Sequence, residues 1–219
     1  MPDTAWTGLW LSLRIATFAT LLAFVVAVPL AAITSRRRFV GRSLVDAALL
    51  LPLVLPPTVV GYLLLVAFGR YGPVGSLIDR VTGESIIFSV AGAILAAAIV
   101  AFPLIYLPAK SGMSAVSQEM LDAAKIEGAT RLQTFARVLV PMSIKHLAAG
   151  GVLAFARAMG EFGATLMVLG WRPGKTTLPI QVYAAYVDGR MGDAWMPVAL
   201  LTGASVGIVV VYHRLLRED

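Results

Sequence analysis

The chain has 219 residues, of which 58% are hydrophobic and 14% charged, and its mean hydropathy is +0.83; this excludes an ordinary soluble domain and implies an integral membrane protein. The lack of cysteine rules out a disulfide framework or a cysteine metal site, and His146 and His213 lie too far apart in sequence to make a metal-ligand pattern. A net charge of +6 is compatible with nucleic acid, but in a membrane protein basic residues more often mark cytoplasmic loops, so their positions decide.

Five apolar segments are long enough to cross a hydrocarbon core of about 30 Å, which takes about 20 helical residues. They cover roughly 9–34, 44–69, 86–108, 145–169 and 195–215. The expectation is an all-α integral membrane protein of five transmembrane helices, a single domain over residues 1–219 without room for a second. The N-terminus, Met1-Pro2-Asp3-Thr4-Ala5-Trp6, lacks the basic region of a cleavable signal peptide, so the first segment reads as a retained helix. It carries Arg14, within snorkelling reach of the interface, and a late Pro29. Ser35-Arg36-Arg37-Arg38, followed by Arg42, lies in a short loop between spans and reads as a topology anchor rather than a nucleic-acid patch.

The second segment holds Pro52, Pro56 and Pro57. Each proline removes a backbone donor and clashes with a carbonyl one turn back, so no regular helix runs through them. Irregular backbone at membrane depth survives only where protein or a water-filled cavity covers it. Pro56, Pro57 and the nearby Gly61 are therefore either part of a pathway or a structural bend. Residues 70–85, with Arg70, Gly72, Pro73, Gly75 and Gly83, read as a turn-rich loop. The third segment has Ala91, Gly92, Ala93, Ala96, Ala97 and Ala98, small residues that favour close helix packing in lipid, and Pro103 is expected to kink its end.

A polar interlude of about thirty residues follows, over about 117–141, and reads as two short helices. Ser117 is the N-cap of the first, with Gln118 and Glu119 in its first turn. Gly128 stops it as a left-handed residue would. Thr130 reopens the chain, Gln133 completes a capping box, and Pro141 marks the next boundary. The paired Ala123 and Ala124 leave a surface that another backbone can approach closely.

In the fourth segment Arg157 and Glu161 are spaced i, i+4, on one helix face, with Thr165 one turn further. Charges at membrane depth are expensive unless paired; the reading is a structural ion pair, with direct substrate contact as the alternative. The loop 170–194 holds Arg172, Lys175, Asp188, Arg190 and Asp193. The last segment carries Gly203 and Gly207, a GxxxG pattern that packs either within the subunit or against a symmetry mate.

The basic residues divide unevenly. One face receives Arg36, Arg37, Arg38, Arg42, Lys110, Lys125, Arg131, Arg137, Lys145, Arg214 and Arg217, eleven in all; the other receives five, Arg70, Arg80, Arg172, Lys175 and Arg190. The positive-inside rule then predicts the N-terminus outside, the C-terminus inside and the 117–141 stretch in the cytoplasm.

Asp122-Ala123-Ala124, three residues, Gly128, then Val138, Val140 and Pro141 resembles the "EAA" coupling loop of permease subunits of ABC importers. Aspartate replaces the usual glutamate, and valines the usual isoleucine and leucine. The resemblance implies a type I ABC importer permease fold whose loop, here Asp122, Ala123, Ala124, Glu127, Gly128, Val138, Val140 and Pro141, docks into a cytoplasmic ATPase. Leu50–Leu65 and Leu153–Thr165 are similar to the molybdate permease family, over about residues 8–216. That implies import of molybdate, with tungstate, sulfate or thiosulfate as alternatives, across the bacterial inner membrane. It also implies a second copy of the chain, two cytoplasmic ABC ATPase subunits and an extracytoplasmic oxyanion-binding protein as partners, besides membrane lipid and without nucleic acid. ATP and magnesium would sit on the ATPase, since this chain has no GxxxxGK[ST] loop. A membrane-embedded enzyme would need a nucleophile–base pair or metal cluster at membrane depth, which Arg157 and Glu161 do not make; a scaffold would leave the coupling spacing unexplained.

Overall fold

The computed structural model describes residues 2–36, 40–171 and 176–216. Arg37, Arg38, Arg172, Lys175 and Arg217 lie outside the described residues. Within them the chain is helical and has no strand. The first helix, α1, runs unbroken from Pro2 to Arg36. Its Ile15, Ala16, Ala19, Ala23, Ala27 and Ala31 are buried; spaced by one, three or four residues, they form one stripe on a 3.6-residue helix.

After α1 come α2 (Arg42–Val54), α3 (Pro57–Phe68), α4 (Gly75–Thr82) and α5 (Val90–Ala115). The alanine stripe of α1 packs in one core with Ala93, Ala97, Ala98 and Ala101 of α5. Small side chains on both helices let the axes approach, which matters in lipid because packing, not hydrophobicity, holds helices together. Thr34 Oγ1 of α1 lies 2.8 Å from Tyr106 Oη of α5, and Arg36 donates to the carbonyls of Met113 and Val116. The two helices therefore run parallel. α5 continues through Pro103 and Pro108 to Ala115. Pro103 is fully buried, and neighbouring helices cover the backbone it disturbs.

Because α1 and α5 are parallel, the chain between them must return to the opposite end of the bundle. α2 and α3 make that return together, bent by 112° at Leu55–Pro56. Among the described residues three helices are each long and apolar enough to cross a membrane, and the number rises to five if each of two bent pairs is one span.

The remaining elements are α6 (Gln118–Ile126), α7 (Arg131–Thr134), a π turn at Phe135–Leu139, α8 (Val140–Met142), α9 (Ile144–Met159), α10 (Gly163–Leu169), α11 (Leu178–Val187), a 3₁₀ turn at Met191–Ala194 and α12 (Trp195–Leu216). α9 runs antiparallel to α5, with His146 beside Gly112 and Gly150 against Leu104 and Ile105. The expected single fourth helix over 145–169 is two pieces, α9 and α10, because the backbone leaves the helix at Gly160–Phe162. The 170–194 stretch is also more than a polar loop. Within it α11 buries Leu178, Ile180 and Ala185. The Leu178 N–H donates to Ser12 Oγ at 2.9 Å and Gln181 Nε2 to the Thr4 carbonyl at 2.8 Å, which places α11 at the N-terminal end of α1. Gly203 and Gly207 face open space; a Cβ on either would meet nothing within 4 Å, so the GxxxG pair makes no close contact within the subunit.

Candidate functional site

The coupling stretch folds as two capped turns beyond the end of α5. Ser117 is extended and its Oγ accepts from the Met120 N–H at 3.4 Å, opening α6. Asp122 accepts from Lys125 Nζ at 2.7 Å and Gln118 Nε2 at 3.0 Å; the Lys125 ammonium first, and Gln118 second, hold its carboxyl below the usual carboxylate range. α6 closes on a Schellman pair: Gly128 N–H donates to the Lys125 carbonyl and Ala129 N–H to the Ala124 carbonyl, both at 2.9 Å. This motif requires a left-handed residue, and Gly128 has φ +81°. Thr130 and Gln133 then bond reciprocally, Gln133 Oε1 accepting from the Thr130 N–H at 2.7 Å and Thr130 Oγ1 from the Gln133 N–H at 3.3 Å. Each cap expected from the sequence is in place.

Leu121 is buried against the core, while Ala123, Glu127 and Gly128 are exposed and Ala124 is half-buried. Two residues that sequence reasoning passed over stand out in water: Ile126 is 88% exposed and Leu132 74%. An apolar side chain two residues before the terminating glycine was the available signal. Val138 and Val140 are half-buried against the core, in the π turn and its continuation, and Pro141 is exposed at the start of α8. A π turn is uncommon and tends to occur at functional positions. The chain bends by 74° between α8 and α9, around Ser143.

The second constellation lies towards the other end. Arg157 Nη1 is 2.5 Å from Glu161 Oε2, and the Glu161 side chain is 1% exposed against 34% for Arg157. The pair does not share one helix face, as the i, i+4 spacing predicted. α9 ends between them, and Glu161 sits in the break, where its Oε1 accepts from the Ala164 N–H at 2.9 Å. One carboxylate thus neutralises an arginine and caps the N-terminal turn of α10, where a negative charge suits the helix dipole. Gly163 and Gly61 bring α10 against α3. A Cβ on Gly61 would come within 2.9 Å of Ala164 Cα, and one on Gly163 within 3.3 Å of Pro57 Cβ. Pro56 caps α3 and Pro57 opens it. Thr165 is buried, its hydroxyl unpartnered among the described residues. The proline-rich segment and the Arg157–Thr165 run, far apart in sequence, therefore form one contact.

A third cluster escaped the sequence reading. Asp46 of α2 accepts from Lys110 Nζ and Tyr106 Oη of α5, each at 2.6 Å on Oδ1, and Arg42 Nε lies 3.7 Å from Oδ2. A lone aspartate near the start of an apolar segment was the signal available.

Residues 16–217 match the family described as "Binding-protein-dependent transport system inner membrane component". The molybdenum transport system permease protein ModB of Escherichia coli is 36% identical over 213 residues, 96% of this chain and 93% of that protein. ModB of Haemophilus influenzae is 39% identical over 175 residues, 80% and 76% of the two chains. Among solved structures, the chain is similar to the MetNI methionine ABC transporter in an inward-facing conformation, with a TM-score of 0.66 at 17% identity over 96% of this chain and 95% of that one. It is also similar to a bacterial ABC transporter that imports alginate, with a TM-score of 0.69 at 16% identity, covering 95% and 76%. Those identities speak to the fold alone, and the fold is that of an ABC importer permease. With a family match across almost its whole length, this chain belongs to the binding-protein-dependent transport system inner membrane components.

Proposed function

We propose that this chain is the membrane subunit of an ABC importer for molybdate. The observation that carries the reading is the 36% identity to a molybdenum permease over 96% of the chain, with the proline-rich bend and the Arg157–Thr165 run packed against each other. In this reading the chain catalyses nothing itself. Two copies form the pathway, and two cytoplasmic ATPase subunits hold ATP and magnesium. An extracytoplasmic protein delivers the oxyanion.

The coupling turn is proposed as the ATPase contact. Its rigid caps present Asp122, Ala123, Ala124, Glu127 and Gly128, and the exposed Ile126 and Leu132 offer apolar anchors for a cleft. Val138, Val140 and Pro141 tie the far side of the turn to the bundle. Orientation follows the basic residues: Arg36, Arg42, Lys110, the coupling turn and Lys145 gather at one end of the bundle, and α11 lies at the other. That end is assigned to the cytoplasm, with the N-terminus outside and the C-terminus inside. Pro56, Pro57, Gly61, Arg157, Glu161 and Thr165 are pathway or structural candidates: a fixed bend and a neutralised pair that shape the passage or brace its wall, without a strong anion cage.

Reconstituted with its ATPase and a molybdate-loaded delivery protein, the complex should accumulate molybdate while hydrolysing ATP. Uptake of a sugar or amino acid, with none of molybdate, tungstate or sulfate under matched delivery, would overturn the assignment.

A further inference from the structure

α2 is the least anchored of the helices that cross the bundle. None of its residues is fully buried. Along its middle, Ala48, Leu49 and Pro52 border an open groove of about 280 Å³ shared with α1 and α5, and its far end borders another of about 260 Å³ shared with α3. Its polar attachment lies at its first turns. There Asp46 Oδ1 accepts from both Lys110 and Tyr106 of α5 at 2.6 Å. Thr34 of α1 lies 2.8 Å from Tyr106 Oη and donates to the Leu30 carbonyl at 2.8 Å. Two residues beyond Thr34, Arg36 holds the Met113 and Val116 carbonyls at the end of α5, immediately before the Ser117 cap. At its other end α2 turns through 112° into α3, which meets the Glu161 break through Gly61 and Ala164.

We propose that Asp46 is a positioning residue for coupled transport: its bonds to Lys110 and Tyr106 link the coupling turn to the α2–α3 bend. No residue of α2 is buried, whereas the alanines of α1 and α5 pack together in the core, so α2 has the fewest packing contacts to break when it shifts. Displacement of the α5 end by an ATPase would therefore pass to α2 through a charged, doubly hydrogen-bonded contact. Such charge-assisted bonds are short and directional, so they transmit displacement where loose apolar contact would slip. Bistable elements biased from two sites are what coupling requires.

The inference rests on the importer reading but does not depend on which substrate is carried. Its test uses the complete transporter in liposomes, with spin labels at Val54, the exposed end of α2, and Val187, exposed on α11. In the unaltered complex, ATP binding should shift the distance between the labels. Asp46→Ala should abolish that shift while ATP-binding affinity is retained, and Asp46→Glu should restore it. With molybdate-loaded delivery protein, substrate moved per ATP should fall on the order of tenfold in Asp46→Ala, with Lys110→Gln and Tyr106→Phe intermediate. An ATP-induced shift as large in Asp46→Ala as in the unaltered complex would overturn the proposal. So would a proportional fall of hydrolysis, uptake and assembled complex that Asp46→Glu does not repair, which marks a merely structural residue. Failure of molybdate uptake in the unaltered complex would strike the substrate assignment alone, because the label distances report without substrate.

Discussion

Gly128 separates backbone strain from crowding. Its φ is +81°, yet a Cβ there would meet nothing within 4 Å, so any side chain fits the space and only the backbone objects. A β-branched residue in this conformation costs roughly 1–2 kcal/mol. Gly128→Val should lower uptake more than ATP hydrolysis, whereas Gly128→Asn, which tolerates the left-handed region, should stay near the unaltered protein. Uptake assays at matched expression decide; equal behaviour of the two variants would remove the tight turn from the coupling argument. Glu161 offers the second residue-scale test. Arg157→Ala leaves a carboxylate buried without its partner, a change on the order of 3–5 kcal/mol. Adding Glu161→Gln removes the stranded charge and keeps an oxygen for the Ala164 N–H. The double variant should therefore unfold at a higher temperature in detergent than Arg157→Ala alone. The opposite order would indicate that the charge of Glu161 has a role outside the pair.

Among the elements, the contact between α3 and α10 depends on hydrogen in place of methyl. A Cβ at Gly61 would lie 2.8 Å from Met167 Cβ and 2.9 Å from Ala164 Cα, and the second is backbone that cannot rotate aside. Gly61→Ala should force the helices apart at about 1–3 kcal/mol, the usual cost of overpacking. Thermal unfolding measures the loss. Gly203→Ala, open on all sides within the subunit, serves as the control and should leave monomer stability unchanged. A loss at Gly61 no greater than at Gly203 would mean that the two helices have freedom to separate.

For the whole molecule the question is which ends face which side. α1 and α5 run parallel and α9 runs antiparallel, so residue 40 and the coupling turn share one end while α11 lies at the other. Reporter fusions at residues 40, 78, 125 and 189 should read inside, outside, inside, outside. Gly189 follows the end of α11; a fusion inside that helix would disrupt it, since Ile180 is fully buried. An outside signal at 125 would overturn both the orientation and the ATPase contact.

The local features were legible because their causes are local. A cap needs a hydroxyl or amide within three residues, and a helix stop needs glycine where φ turns positive; Ser117, Thr130, Gln133 and Gly128 satisfy those needs from neighbours alone. Apolar length marked the membrane segments, and proline spacing marked the bend. Length does not reveal that 145–169 is broken at Glu161, since an acidic residue four positions after Arg157 fits a continuous helix as well as a cap on a new one. Nor does it reveal α11, whose ten mostly apolar residues are too few to span and lie among charged flanks. The meeting of Gly61 with Ala164, and of Asp46 with Lys110 and Tyr106, joins residues dozens of positions apart. Periodicity tells which face a residue occupies but not which helix will lie against it; that choice belongs to the packing of the whole bundle, and only the tertiary structure decides it.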